Sequence, residues 1–334
     1  MNYGTNGIIS EYSGLLSGLN SFNDAKLTSI NPPKKIFLSS RNASLAYYAD
    51  YSVYADRFLV IQYSNNQSSD IYVINPNNNT IENIVTSPTD DRGGLHIECV
   101  GNMAYIFYNN TNFFKVLNLD TFVFTSARVA TGGTVSYSGV YSLLTDNLYI
   151  SNYGTNTVTA INKTSLTLSS TISSTSGAVF ALPVDSLNRL YISCYVSNSL
   201  QIFNLTTLSL ITTITGIAGC FNTAYCPTNN HLYIAAYSGN SVMAVNCSTN
   251  TITTSISIPS STPIDVKYNP NNGLIYVTLP ESTFRGVAII NPSTNTVIAY
   301  YREVTQPYFL TFCPTNNKMY FTEYNSNNLT QLWL

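Results

Sequence analysis

Residues 148–172 read LYISNYGTNTVTAINKTSLTLSSTI, and the first six of them, LYISNY, return along the chain at a nearly constant spacing. LYISCY stands at 190–195, LYIAAY at 232–237, MYFTEY at 319–324 and, more loosely, MAYIFY at 103–108. Two degenerate copies, FLVIQY at 58–63 and IYVTLP at 275–280, complete a series starting at 58, 103, 148, 190, 232, 275 and 319. Seven copies 42 to 45 residues apart mark a repeat architecture, in which each unit buries its apolar face only against its neighbours.

Each unit has the same internal order. The LYI strand is followed by a turn of Gly, Asn and Ser (Gly154-Thr155-Asn156, Ser197-Asn198, Ser238-Gly239-Asn240), residues that accept tight or left-handed backbone. A second strand ending in Asn comes next, then a short turn, a Thr/Ser-rich strand, and a strand leading into the next copy. Both alternating sets of the LYI strand are apolar or aromatic, Leu148 and Ile150 on one side and Tyr149 and Tyr153 on the other, as in a strand covered on both faces. The segments 167–173 and 251–257 alternate Ile or Leu with Ser or Thr instead, the pattern of a half-exposed edge. Four-stranded antiparallel units of roughly 40 to 50 residues stack radially, so the expected fold is all-β: a seven-bladed β-propeller.

The stretch 148–172 closely resembles the YVTN repeat family of β-propellers, whose unit runs YVTN-Y-G-(S/T)-N-T-V, a V-I-D strand end and T-N-T-V. The resemblance spans about residues 58–334 and is strongest in the copies beginning at 148, 190, 232 and 275. It implies the propeller fold and leaves function open. Proteins resembling the family occur in archaeal surface layers, while propellers with similar repeats include lactonases, lyases and quinone-dependent dehydrogenases with metals or cofactors in the central channel.

The last copy has its LYI strand and a strand at 329–334 and then lacks an outer strand. Residues 35–40, KKIFLS, are expected to supply it, so that the N-terminal strand closes the ring and the propeller occupies 35–334. Residues 1–34 form an arm in which Ile8, Ile9, Tyr12, Leu15, Leu16 and Leu19 fall at helical spacing, although Gly14 and Gly18 each cost about 1 kcal/mol of helix propensity. The arm is expected to cap the ring or to dock it to other structural proteins.

Charge bounds the partners. Only 9% of the 334 residues are charged, 14 basic against 16 acidic, compared with about 25% in ordinary domains. No basic field exists for nucleic acid or an anionic membrane. No apolar run approaches a membrane span, and no basic residue precedes Lys26, so no secretory signal is expected. About one residue in eight is Asn, and uncharged polar side chains replace charge on the surface.

Candidates for chemistry are few. His96 and His231 are far apart, and the six cysteines contain no CxxC, so neither a metal site nor a cofactor site is expected. His231 occupies a turn position held elsewhere by Asn147, Arg189 and Lys318, and His96 reads as a packed or rim residue. Cys226 and Cys313 head matching Cys-Pro-Thr-Asn-Asn turns in nonadjacent repeats and cannot pair with each other. Cys220 with Cys226 is a local pairing option, with buried free thiols the default. No catalytic set emerges.

Three features suggest surface recognition instead. Asn75, Asn118, Asn162, Asn204, Asn246 and Asn291 close the second strand where the YVTN family usually has Asp. An Asx-turn there keeps its hydrogen bond without a charge, which suits acid. Eight sequons begin at Asn42, Asn66, Asn78, Asn109, Asn162, Asn204, Asn246 and Asn328, candidate glycosylation sites although chance alone gives roughly nine at this composition. Tyr63, Tyr108, Tyr153, Tyr195, Tyr237 and Tyr324 end the LYI copies, and with Asn156, Asn198 and Asn240 they would ring one face as a ligand surface suited to carbohydrate or protein.

The expectation is a non-enzymatic extracellular recognition protein. A virion-surface spike or turret propeller for assembly or attachment to a host glycan or protein comes first, and an archaeal cell-surface or surface-layer-type protein second. A lactonase- or lyase-type enzyme is the third possibility. It would need acidic residues, His or Arg clustered in the channel, which no spacing in the sequence shows; Asp185, Asp265 and Glu98 are the acids that the sequence leaves unplaced.

Overall fold

The computed structural model describes residues 34–38, 45–64, 68–87, 91–109, 112–258, 261–280, 284–302 and 304–332. Seven antiparallel sheets stand around a central channel, each with the LYI strand second from the inside. Blade 3 is representative: Ser136–Ser142 innermost, then Asn147–Asn152, Thr157–Asn162 and Leu168–Ser173 outermost. The predicted polarity gradient holds, since Asn147–Asn152 is almost wholly buried whereas Leu168–Ser173 exposes most of its side chains.

Seven apolar clusters fill the seven junctions between blades, so the core is a ring of interfaces with no single centre. The second residue of the LYI copy dominates several of them: Tyr149, Tyr191, Tyr233, Tyr276 and Tyr320 are at most 1% exposed. Their rings bury large apolar area and their hydroxyls still need partners. Tyr149 donates to Leu205 O of the next blade at 3.3 Å, and Tyr233 to Asn295 Oδ1 of the next blade at 2.6 Å.

Ring closure follows the predicted route. Lys34–Phe37 pairs antiparallel with Asn328–Leu332 as the outer strand of blade 7, and the Leu38 N–H donates to Asn327 O at 3.0 Å. The closing strand thus begins at Lys34, one residue earlier than expected. Its proposed end, residues 39–40, and the arm at 1–33 lie outside the described residues.

Two details depart from the sequence reading. The outer strand of blade 2 is broken into Val123–Phe124 and Val129–Ala130, both paired to Phe113–Asn118. In the same blade the repeat is out of register by one. Ile97 pairs with Ile106 as Gly139 pairs with Ile150, so Ala104, not Met103, occupies the position of Leu148.

All six predicted Asx-turns form. The Oδ1 of Asn75, Asn118, Asn162, Asn204, Asn246 and Asn291 accepts from the backbone N–H two residues on, at 2.8–3.1 Å. All six cysteines are free thiols, which removes the Cys220–Cys226 option.

Candidate functional site

The innermost strand of a propeller has a free edge on the channel, and here that edge is irregular in a regular way. Six inner strands carry a register break near their first residues, between Ala46 and Tyr48, Gly94 and His96, Ser136 and Ser138, Ala178 and Phe180, Cys220 and Thr223, and Pro307 and Leu310. A bulge leaves a residue unpaired and re-aims its side chain. The residues skipped include Tyr47, Leu95, Tyr137, Val179, Phe221 and Tyr308, and with Ile264 of blade 6 they form one layer at the channel mouth.

This layer makes an aromatic collar. Tyr47, Tyr137, Phe221, Tyr308 and Phe309 line a cavity of about 260 Å3 together with Tyr153, Tyr195 and Tyr237 from the LYI strand ends; Val179, Ile264 and Pro280 fill the remaining wall. Among the described residues no charged side chain belongs to that wall. The rings brace one another: Tyr308 stacks on Tyr324 with centroids 4.6 Å apart, Tyr47 lies 5.5 Å from Tyr63, and Tyr137 lies 5.5 Å from Tyr153. Burial, then the neighbouring phenols Tyr137, Tyr308, Tyr324 and Tyr63, push the Tyr47 hydroxyl well above its ordinary range, so the collar presents neutral O–H groups.

Beneath the collar sits a smaller cavity of about 20 Å3, space for about one water. It shares Tyr47, Tyr137, Val179, Phe221 and Phe309 with the collar and adds Tyr48, Leu95, His96, Ser138, Phe180 and Asn222. His96 is 3% exposed, packs 4.1 Å from Tyr48, and accepts from the Gly139 N–H through Nδ1 at 3.5 Å.

Deeper still the channel holds a charged cluster whose convergence the sequence does not show, since it leaves Glu98 and Asp265 unplaced. Asp50, Glu98 and Lys267 occupy equivalent positions of blades 1, 2 and 6, one layer below Asp265. Each carboxylate answers the free edge of the next inner strand. Asp50 accepts from the Cys99 N–H at 2.8 Å, Glu98 from the Tyr141 N–H at 2.8 Å, and Asp265 from the Leu310 N–H at 2.7 Å. An unpaired edge N–H requires an acceptor, so these acids have a structural task. Asp185 lies elsewhere, capping the hairpin tip of blade 3 through Ser142, Leu143 and Leu144. Among the described residues no group of three or more His, Cys, Asp or Glu is placed to hold a metal ion.

This cluster dictates a pH profile. Desolvation, then the Asp50 charge, pushes Glu98 up to about 8, and burial raises Asp50 and Asp265 in the same direction. Burial, then the Lys267 charge, brings His96 down to about 3. Glu98 keeps a proton that the unfolded chain has released, so its contribution is complete below about pH 4.3 and is lost as pH rises through 8. The His96 contribution is present above about pH 6.5 and is lost as pH falls toward 3. Between these ends the two slopes oppose each other. Above about pH 6.5 the His96 contribution is complete, so the melting temperature should fall from there toward pH 8 as Glu98 is forced to release its proton. Glu98→Gln should remove at least half of that alkaline fall in a calorimetric series; an unchanged fall would exclude Glu98 as its source.

The structure gathers only part of the expected Tyr and Asn set at one face. Tyr153, Tyr195 and Tyr237 line the collar cavity, while Tyr63 and Tyr324 stand behind Tyr47 and Tyr308. Tyr108 is not there. The one-residue shift in blade 2 puts it at the buried position of Asn152, where it is 0% exposed and bonds Ser87. Asn156 and Asn198 are blade-to-blade stitches, their Oδ1 atoms accepting from Gly177 N at 2.7 Å and Gly219 N at 2.6 Å. Asn240 is exposed in a left-handed turn.

The sequons also divide. Asn78 is exposed; Asn162, Asn204 and Asn246 are the half-buried Asx-turn residues, and Asn109 is half-buried. Asn328 lies in the closing blade at 6% exposure, so the folded strand offers no room for a glycan there. Asn42 and Asn66 lie outside the described residues. His231, expected as a solvated turn residue, instead opens the strand His231–Ala236, half-buried and paired with Cys226 and Asn246, with Nδ1 2.6 Å from Asn229 O.

The sequence reading missed the inner-strand collar residues although a signal existed. Tyr47, Tyr137, Val179, Phe221, Ile264 and Tyr308 each stand eleven residues before the start of an LYI copy, and only blade 2, with its shorter connection to Leu95, breaks the column. The channel acids had no such signal, because they come from different blades.

No family model matches the chain, and no curated protein matches it. Among solved structures it is similar to one described as Kuenenia stuttgartiensis hydrazine synthase, with a TM-score of 0.75 at 11% identity, over 89% of this chain and 97% of that one. At that identity the likeness concerns the fold alone, and it is a β-propeller likeness.

Proposed function

We propose that the chain is a non-enzymatic, extracellular recognition protein built on a YVTN-like repeat, a surface propeller of the virion or cell-envelope type, and that the aromatic collar holds its uncharged partner. A surface glycan is the partner of choice. The supporting observation is the collar itself: eight aromatic side chains around a cavity of about 260 Å3, with no charged side chain among the described residues of its wall. Rigid rings with hydroxyl tips offer contact area at small entropic cost and stack on the apolar faces of sugars. The six charge-free Asx-turns fit a protein exposed to varied pH outside a cell.

The test is a glycan array followed by titration. Tyr137→Ala should weaken binding at least about tenfold, or 1.4 kcal/mol, while leaving the melting temperature within a few degrees. Unaltered binding would remove the collar from the reading. Quantitative mass spectrometry of extracellular particles, envelope and cytosol tests the location.

The channel acids favour a second reading, a lactonase- or lyase-type propeller enzyme. Weighing against it, Asp50, Glu98 and Asp265 each already bond a strand-edge amide. A hydrolytic or lyase activity abolished by Glu98→Gln would reverse the order of the two.

A further inference from the structure

His96 Nε2 is buried and has no hydrogen-bond partner among the described residues, on a ring that lines the chamber under the collar. The other ring nitrogen settles which kind of partner is missing. Because Nδ1 accepts from the Gly139 N–H, a neutral imidazole carries its proton on Nε2. Burial, reinforced by the Lys267 charge, keeps the ring neutral. The chamber therefore contains an N–H donor that lacks an acceptor, a costly arrangement for a buried polar group.

The surroundings narrow the acceptor. The remaining walls are mostly apolar, Phe180, Phe221 and Phe309 among them, and the chamber has space for about one small group. A charged acceptor is disfavoured because walls that are mostly apolar cannot replace the hydration an ion would lose. A neutral carbonyl oxygen beside a small apolar group meets all three conditions.

We propose that the chamber reads the acetyl group of an N-acetylated sugar, its carbonyl oxygen taking the one-water space to accept from His96 Nε2–H while its methyl group stays in the collar cavity above, against Phe221 and Phe309, which line both cavities. This rests on the collar reading, because the pyranose ring that carries the group would stack on the tyrosines above. A sugar is preferred to an acetylated peptide because the mouth offers several phenol rings for a broad face, whereas a lysyl chain would use few of them.

Titration calorimetry on the full chain compares methyl N-acetylglucosaminide, methyl glucoside and Nε-acetyl-lysine amide. The acetamido sugar should bind at least tenfold more tightly than the glucoside. His96→Phe should bring the two sugars to equal affinity; blades 4 and 7 carry Phe180 and Phe309 at the equivalent position, so the ring has packing precedent. Equal affinities in the wild type would overturn the acetyl proposal and leave the collar standing, and binding of neither sugar would overturn both. Discrimination surviving in His96→Phe, or tighter binding of the acetyl-lysine, would also overturn it. A measurement without mutation is nitrogen-15 spectroscopy of the imidazoles, of which the chain has two. It should show an Nε2–H tautomer at His96 whose proton moves downfield with the acetamido sugar and not with the glucoside. An Nδ1–H tautomer would refute the proposal.

Discussion

Deleting residues 329–334 should unfold the entire ring, not merely fray its last blade. The segment contributes Leu329 and Leu332, 0% and 2% exposed, and these belong to different junctions, blade 7 with blade 1 and blade 6 with blade 7. Removing a buried Leu side chain costs about 2–5 kcal/mol, so the two together cost about 4–10 kcal/mol before lost strand pairing is counted. That is comparable with the whole stability of an ordinary domain. Lys34–Phe37 would also lose its sheet neighbour, because among the described strands it pairs only with Asn328–Leu332. The expected far-UV spectrum of the truncated chain is that of an unfolded or aggregated protein, and Leu329→Ala should give a graded loss of about 2–5 kcal/mol. A truncated chain melting at the wild-type temperature would show that the closing strand does not hold the ring.

The second large effect comes from one added methyl group. A Cβ at Gly139 would overlap Phe107 Cζ and Cε1 and stand 2.8 Å from Cε2, and that ring is 0% exposed within the junction of blades 2 and 3. Phe107 fills a position where other blades have Ser151, Ser193, Ala235, Thr278 or Thr322, and the glycine opposite makes room for it. Ile61 and Gly94 repeat the compensation one blade earlier, where a Cβ added to the glycine would overlap Ile61 Cδ1 and stand 2.7 Å from Cγ1. Overpacking a close-packed core costs about 1–3 kcal/mol, and a rigid ring places Gly139→Ala at or above the upper end. Phe107→Ala should itself destabilise by about 3–5 kcal/mol, yet in that background Gly139→Ala should be neutral or favourable. A double-mutant cycle by denaturant unfolding reads the coupling. Additive losses would mean the two residues do not compensate each other.

Local pattern carried most of the architecture. The period of the LYI copies, the two-faced burial of those strands, the Ser/Thr outer edges and the Asn-closed turns are short-range features, and each appears in the structure where the spacing put it. The closing strand could be inferred because a missing fourth strand in one repeat requires a donor, and KKIFLS was the stretch left over. The one misreading of the repeat, at MAYIFY, came from matching a terminal Tyr instead of the pairing register, and it carried Tyr108 from the core to the mouth.

The site depended on closure of the ring. Tyr47 and Tyr308 are 261 positions apart in the chain and their rings meet at 5.6 Å, because blades 7 and 1 are neighbours only in the circle. Asp50, Glu98 and Lys267 likewise look solitary among uncharged neighbours, and only the convergence of seven inner strands brings them into one channel. A period of about 44 residues determines how a blade is built and how many there are. It does not determine which side chains meet on the axis, since a side chain there contacts residues of other blades, and those contacts exist only once the last strand has closed the ring.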